Sequence, residues 1–143
     1  MTLLLIAFDL EGTLLDAELF SELGRAFNMD VLNEITLQGM RAEISFEESL
    51  IKRINIIKGM PAEHIIQLCR KLPLIKGAKE TIRELKSLGC IPAIITGGFD
   101  ILAERVAREL EIDIVFSNRF LLNKGKIASV KRPIITPELK QDI

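Results

Sequence analysis

Two short stretches of this sequence carry residues whose types and spacing suit phosphoryl chemistry. The first, Asp9-Leu10-Glu11-Gly12-Thr13, follows the apolar run Leu3-Leu4-Leu5-Ile6-Ala7-Phe8 without a break. An Asp held at the end of a strand can attack phosphorus and form an aspartyl-phosphate. Glu11 could move a proton to the leaving oxygen, Gly12 lets the backbone turn, and Thr13 can bond the loop. The alternative is a strand that simply ends in a polar turn. The second stretch, Thr96-Gly97-Gly98, also follows an apolar run directly. Its hydroxyl can donate to a phosphate, and a turn entering a helix offers backbone N–H groups to an anion. A Thr-Gly-Gly triplet alone says little, but two such strand ends at one sheet edge describe a phosphate site. A third residue is notable for its setting. Arg53 falls within the apolar helix stripe of Phe46, Leu50 and Ile57. An unpaired buried guanidinium is costly. Its partner is either an internal carboxylate or an anionic ligand, and its fork of donors suits both.

The elements around these residues must bring them together. Six apolar residues at 3–8 are short for a buried helix but suit a strand covered on both faces, the habit of parallel sheets. In open α/β sheets, ligands bind beyond the carboxyl ends of the strands. Residues 17–72 then turn helical. A first helix spans 17–27 with Phe20, Leu23 and Phe27 at helical spacing, and a second covers 31–37. Ser45-Phe46-Glu47-Glu48 reads as a capping box opening a third helix, which Gly59 closes. A fourth starts at Pro61, with Ala62, Ile65, Cys69 and Leu72 on one face and His64 beside it as a surface histidine. After a linker at 73–77, Ala78, Ile82, Leu85 and Leu88 mark an amphipathic helix ended by Gly89. Strands are expected at 90–95 and 112–116, with a helix between them carrying Leu102, Val106 and Leu110 inward. Residues 120–128 read as a hairpin turning at Asn123-Lys124-Gly125-Lys126, and its Gly-Lys pair as a turn rather than a phosphate loop. Thr136-Pro137-Glu138 has the form of a helix start. The fold class is α/β with a parallel sheet.

Composition narrows the function. With 48% hydrophobic and 27% charged residues the 143-residue chain is expected to be soluble and globular. A net charge of −1 provides no basic field for nucleic acid, and the lack of Trp and Tyr removes the usual base-stacking platforms. One histidine cannot build a His-based metal site. Cys69 and Cys90 lack metal spacing, which favours a reducing compartment. The apolar start lacks a basic leader, and no run approaches a membrane span. A cytoplasmic protein with no nucleic-acid or membrane partner is expected.

In these motifs the chain resembles the haloacid dehalogenase superfamily, and within it the phosphoserine phosphatases. The resemblance implies a Rossmann-like parallel-sheet core at 1–16 and 74–143, with a helical cap inserted at 17–73. It makes Asp9 the nucleophile and a magnesium ligand, and Glu11 the general acid/base, with its backbone carbonyl on the same Mg2+. It assigns phosphate binding to Thr96, Gly97 and Lys140, the lysine also neutralising the nucleophile. Glu18 is implied to bind the substrate amino group and Arg53 its carboxylate, with Phe46 lining the pocket. The expected activity is a magnesium-dependent phosphomonoesterase acting on a small phosphate ester, most simply phosphoserine. The other readings are a non-catalytic phosphate- or amino-acid-binding remnant, and a phosphatase or phosphotransferase for another small ester. Two departures stand out. Glu11 replaces the usual second Asp. A further acidic metal-binding loop of the Gly-Asp-Gly-x-Asn-Asp type, implied after Lys140, does not occur within the 143 residues. The chain therefore reads as C-terminally truncated, its first strand left as a sheet edge, and as a homo-oligomer or one half of a complementing pair.

Overall fold

The computed structural model describes residues 2–143. Its centre is a parallel sheet of three strands in the order β1 (Leu5–Phe8), β2 (Ile91–Phe99) and β3 (Ile114–Asn118). Leu5 pairs with Ile91 and Phe8 with Ile94, while Ala93 pairs with Ile114 and Ile95 with Phe116. Two helices, α5 (Ala78–Ser87) and α6 (Asp100–Leu110), pack on the sheet, their Ile82, Leu102 and Val106 buried in one cluster with Ile94.

The first strand departs from its expected form. Leu3, Leu4 and Leu5 are 69%, 57% and 53% exposed, and along β1 exposed residues alternate with half-buried ones. Among the described residues β1 is bonded to β2 alone, so it is a sheet edge as expected, but only one of its faces is covered. The second strand does not stop at Thr96. It runs through Gly97 and Gly98 to Phe99, with a register shift between Ile95 and Phe99 where Phe99 meets Asn118. That continuation has a packing cause: Phe99 is buried, stacked on Phe120 at 3.8 Å and edge-on to Phe20 at 5.9 Å. The third strand lies two residues later than expected, its last residue Asn118 being the one paired with Phe99. Leu88, expected on the apolar face of α5, is 72% exposed, because the helix ends at Ser87 and the chain turns away at Gly89.

Between β1 and α5 lie four helices, α1 (Leu19–Ala26), α2 (Asp30–Met40), α3 (Phe46–Ile57) and α4 (Ala62–Lys71). The chain enters and leaves this region through two adjacent crossings. The Asp16 N–H donates to the Pro73 carbonyl at 2.8 Å and the Ile75 N–H to that of Leu14 at 2.9 Å. Ser45 caps α3 by accepting the Glu48 N–H at 3.0 Å, and Gly59 supplies the left-handed turn (φ 89°) that follows it. Pro61 lies just ahead of α4 rather than inside it. Buried Leu10, Leu15, Leu19, Leu23, Leu50 and Ile65 join one cluster with the sheet residues, so helices and sheet share a core. Cys69 belongs to it, and burial pushes its thiol up to about 12, which leaves it inert near neutrality. His64 is exposed as expected, stacked on Phe27 at 5.6 Å.

The expected hairpin forms from β4 (Phe120–Asn123) and β5 (Lys126–Val130), joined through Lys124 and Gly125, both at positive φ. It grips the α3–α4 connection, with Gly59 N–H donating to the Ile127 carbonyl and Ala62 N–H to that of Gly125, each at 2.8 Å. A short α7 (Pro137–Lys140) follows, its Thr136 hydroxyl accepting the Leu139 N–H at 3.1 Å. Among the described residues, no helix is long and apolar enough to cross a membrane.

Candidate active site

The carboxyl ends of β1 and β2 open onto a cleft of about 1000 Å³, roofed by α1, α2 and α3. Asp9 stands at the first residue past β1. Its Oδ1 accepts the Leu10 N–H at 2.7 Å, and its Oδ2 lies 3.2 Å from Lys140 Nζ at the end of α7. A residue 131 positions away thus meets the strand end. Glu11 is turned inward, where its Oε2 accepts the Leu19 N–H at 2.6 Å, at the start of α1. Burial first, and the negative charge of Glu18 second, push its carboxyl up to about 7, against the pull of the Leu19 N–H and the Arg53 charge. A carboxyl that gains and loses its proton near neutrality is suited to acid and base work in turn.

Thr96 is buried at the end of the apolar part of β2. Its Oγ accepts the Gly98 N–H at 2.9 Å, which leaves the hydroxyl proton free to donate into the cleft. Two glycines here sit at close approaches of site side chains, which would have to shift to admit a Cβ. A Cβ on Gly97 would lie 2.9 Å from the Phe46 ring, and one on Gly98 would lie 2.7 Å from Glu11 Oε1. Gly97, Phe46 and Asp9 also border a second hollow of about 530 Å³ that reaches Lys140.

Arg53 faces the cleft from α3 and is 6% exposed. Its Nε donates to the Ser49 carbonyl at 3.2 Å and its Nη1 to Thr36 Oγ1 at 3.4 Å. Glu18 Oε1 is 3.7 Å away, and the guanidinium sits 4.6 Å above the Phe20 ring. Burial outweighs the pull of the Glu18 and Glu11 carboxylates, so its pKa falls below the ordinary arginine value. Of the two partners open to Arg53 from sequence, the internal one is present, and the guanidinium also lines the cavity. Glu18 has a second task, since its Oε2 accepts the Ser21 N–H at 2.6 Å and caps α1.

A sequence model of haloacid dehalogenase-like hydrolases matches residues 3–140. The chain belongs to the haloacid dehalogenase-like hydrolases. It is 33% identical to the phosphoserine phosphatase of Methanocaldococcus jannaschii over 141 residues, 97% of this chain and 67% of that protein. It is 35% identical to that of Archaeoglobus fulgidus, over 97% of this chain and 41% of the relative. A solved phospho-aspartyl intermediate analogue of phosphoserine phosphatase superposes with a TM-score of 0.84 at 34% identity, covering 92% of this chain and 64% of that one. The chain thus spans between 41% and 67% of the length of these relatives.

As a haloacid dehalogenase-like hydrolase, the protein has its eight sequence-indicated site residues around one cleft and the hollow beside it: Asp9, Glu11, Glu18, Phe46, Arg53, Thr96, Gly97 and Lys140. Phosphatases of this family are generally magnesium-dependent. The donor set fits such an ion on one side only. Asp9 is partly exposed with Glu11 beside it, but among the described residues no three His, Cys, Asp or Glu side chains converge. Magnesium keeps several waters and takes one or two carboxylates plus phosphate oxygens, so this half-set suits an ion completed by other oxygens. Two supporting residues escaped the sequence reading. Thr36 lies buried on α2 beside Arg53, and Asn118 lies buried at the end of β3. Neither sits in a motif; the only trace of Asn118 was a polar residue ending an apolar run.

Proposed function

We propose that this chain forms the nucleophile- and substrate-binding part of a magnesium-dependent phosphomonoesterase acting through an aspartyl-phosphate, with O-phosphoserine as substrate and L-serine as product. The observation that carries this reading is the contrast within the cleft. Asp9 is paired with a lysine, while Glu11, held up to about 7, feels the charges of Asp9 and of the Glu18–Arg53 pair. Two carboxyls in such different settings take different roles.

In the first step a carboxylate oxygen of Asp9 bonds to phosphorus, the phosphorus–oxygen ester bond breaks, and Glu11 gives its proton to the departing serine oxygen. In the second, Glu11 takes a proton from water, whose oxygen attacks phosphorus and releases phosphate with Asp9 restored. Thr96, the Gly97 backbone and Lys140 hold the phosphate oxygens, and Phe46 closes the pocket. Glu18 binds the substrate ammonium and Arg53 its carboxylate. Magnesium, when bound by the Asp9 carboxylate and the Glu11 carbonyl, adds positive charge where phosphoryl oxygens gather. Residues 17–73 act as the cap and 1–16 with 74–143 as the core. We place the action in the cytoplasm, consistent with two free cysteines, and expect a homo-oligomer or a complementing segment along the open β1 edge. The lack of a third metal ligand among the described residues favours a second reading, phosphate and amino-acid binding without turnover.

Titration with phosphoserine and with phosphoglycolate, which lacks the amino group, tests the substrate. Phosphoserine should bind more tightly, and Arg53→Ala should weaken it by about 2–4 kcal/mol through loss of a desolvated charge pair. Equal affinity for the two ligands would sink the amino-acid assignment. Hydrolysis that is lost in Asp9→Asn separates turnover from binding alone.

A further inference from the structure

Asn118 is a buried polar side chain to which the proposed reaction gives no role. Its amide is fully used. Nδ2 donates to the Gly97 carbonyl at 2.9 Å and to the Ile135 carbonyl at 3.1 Å, while Oδ1 accepts the Ile135 N–H at 2.7 Å. Toward Ile135 the side chain therefore acts as a two-point strand partner, with one donor and one acceptor on the same backbone residue. What it joins gives this arrangement its interest. Gly97 lies within the Thr96-Gly97-Gly98 segment, and fixing its carbonyl orients the peptide whose N–H reaches Thr96 Oγ. Ile135 directly precedes Thr136, the cap of α7, and the Lys140 N–H is bonded to the Thr136 carbonyl at 2.9 Å. Lys140 in turn reaches Asp9.

We propose that Asn118 is the positioning residue for Lys140: it pins the segment carrying the lysine to the Gly97 backbone, so that the ammonium stands over Asp9. The proposal rests on the phosphate-site reading above. The start of the segment is also held by the Arg132–Glu47 ion pair and by the buried side chains of Ile134 and Ile135, but the helix beyond them is not. Among the described residues, α7 is a four-residue helix with no buried side chain, so its own packing holds its last residue only weakly. A buried amide with every donor and acceptor bonded holds more firmly, because each lost bond leaves an unpaired group.

The test is inorganic phosphate affinity, measured by phosphorus NMR titration of the whole chain at fixed magnesium, for the parent, Asn118→Asp, Lys140→Met and the double variant. Asp keeps the acceptor for Ile135 N–H but sets a carboxylate against two carbonyls. Asn118→Ser, which retains a hydroxyl, serves if Asp prevents folding, and thermal melts establish that each variant is folded. Each single variant should bind phosphate about tenfold more weakly, and the double variant no more than about threefold below the weaker single, since the two act through one group. Additive losses, or parent-like binding by folded Asn118 variants while Lys140→Met binds weakly, would overturn the proposal and leave the phosphate site standing. Parent-like binding by Lys140→Met would overturn the phosphate-site reading, and this inference with it.

Discussion

Glu11→Gln should stabilise the protein at alkaline pH and do little at acid pH. In the folded chain burial and Glu18 raise the Glu11 carboxyl from 4.5 to about 7. A raised carboxyl pKa means that the native state binds the proton more tightly than the unfolded chain does. Below pH 4.5 both states are protonated and the folded state bears no penalty. Between 4.5 and 7 that advantage drains away as pH rises, and above 7 the folded state holds a buried carboxylate at full cost. The displacement corresponds to at most about 3 kcal/mol. Gln at this position keeps an oxygen for the Leu19 N–H and never ionises. The assay is thermal melting of parent and variant from pH 4 to 8.5 with a chelator present. At about 3 °C per kcal/mol for a chain of this size, Glu11→Gln should melt up to about 10 °C higher at pH 8 and within about 2 °C at pH 4. A constant difference across the range, or a variant less stable at pH 8 than at pH 4 relative to parent, would refute the electrostatic account.

Gly39 on α2 faces buried Ser49 on α3, and a Cβ added there would lie 2.7 Å from Ser49 Oγ and 2.8 Å from its Cβ. Gly39→Ala should cost about 1–3 kcal/mol in denaturant melts, partly recovered by Ser49→Gly; an unchanged midpoint would mean that the two helices separate freely. The open edge of β1, with Leu5 exposed, should drive association at micromolar concentration, and Leu5→Lys should shift the chain toward monomer. Light scattering after gel filtration checks this, and a monodisperse, cooperatively melting parent monomer would show that the edge is harmless.

What the sequence determined by itself was local in kind. Runs of apolar residues broken by Asp9 and Thr96, the cap at Ser45, the Lys124-Gly125 turn and the helix start at Thr136 are all set by interactions spanning a few residues. Arg53 was legible too, because a charge inside an apolar stripe announces that it needs partners. Tertiary structure decided what those partners are and where each element ends. The strand at Thr96 continues to Phe99 because Phe20 and Phe120, far apart in the chain, make a pocket for its ring. The 3–8 run has the composition of a strand buried on both faces, yet an apolar pattern records only what could be covered, and here one face stays open. The acidity of Glu11 was equally invisible, since desolvation depends on how the helices roof the cleft and not on neighbouring residues. Asn118 shows the limit most plainly. A single amide among ordinary strand residues has no pattern to read, and only the fold brings Gly97 and Ile135 to its two ends.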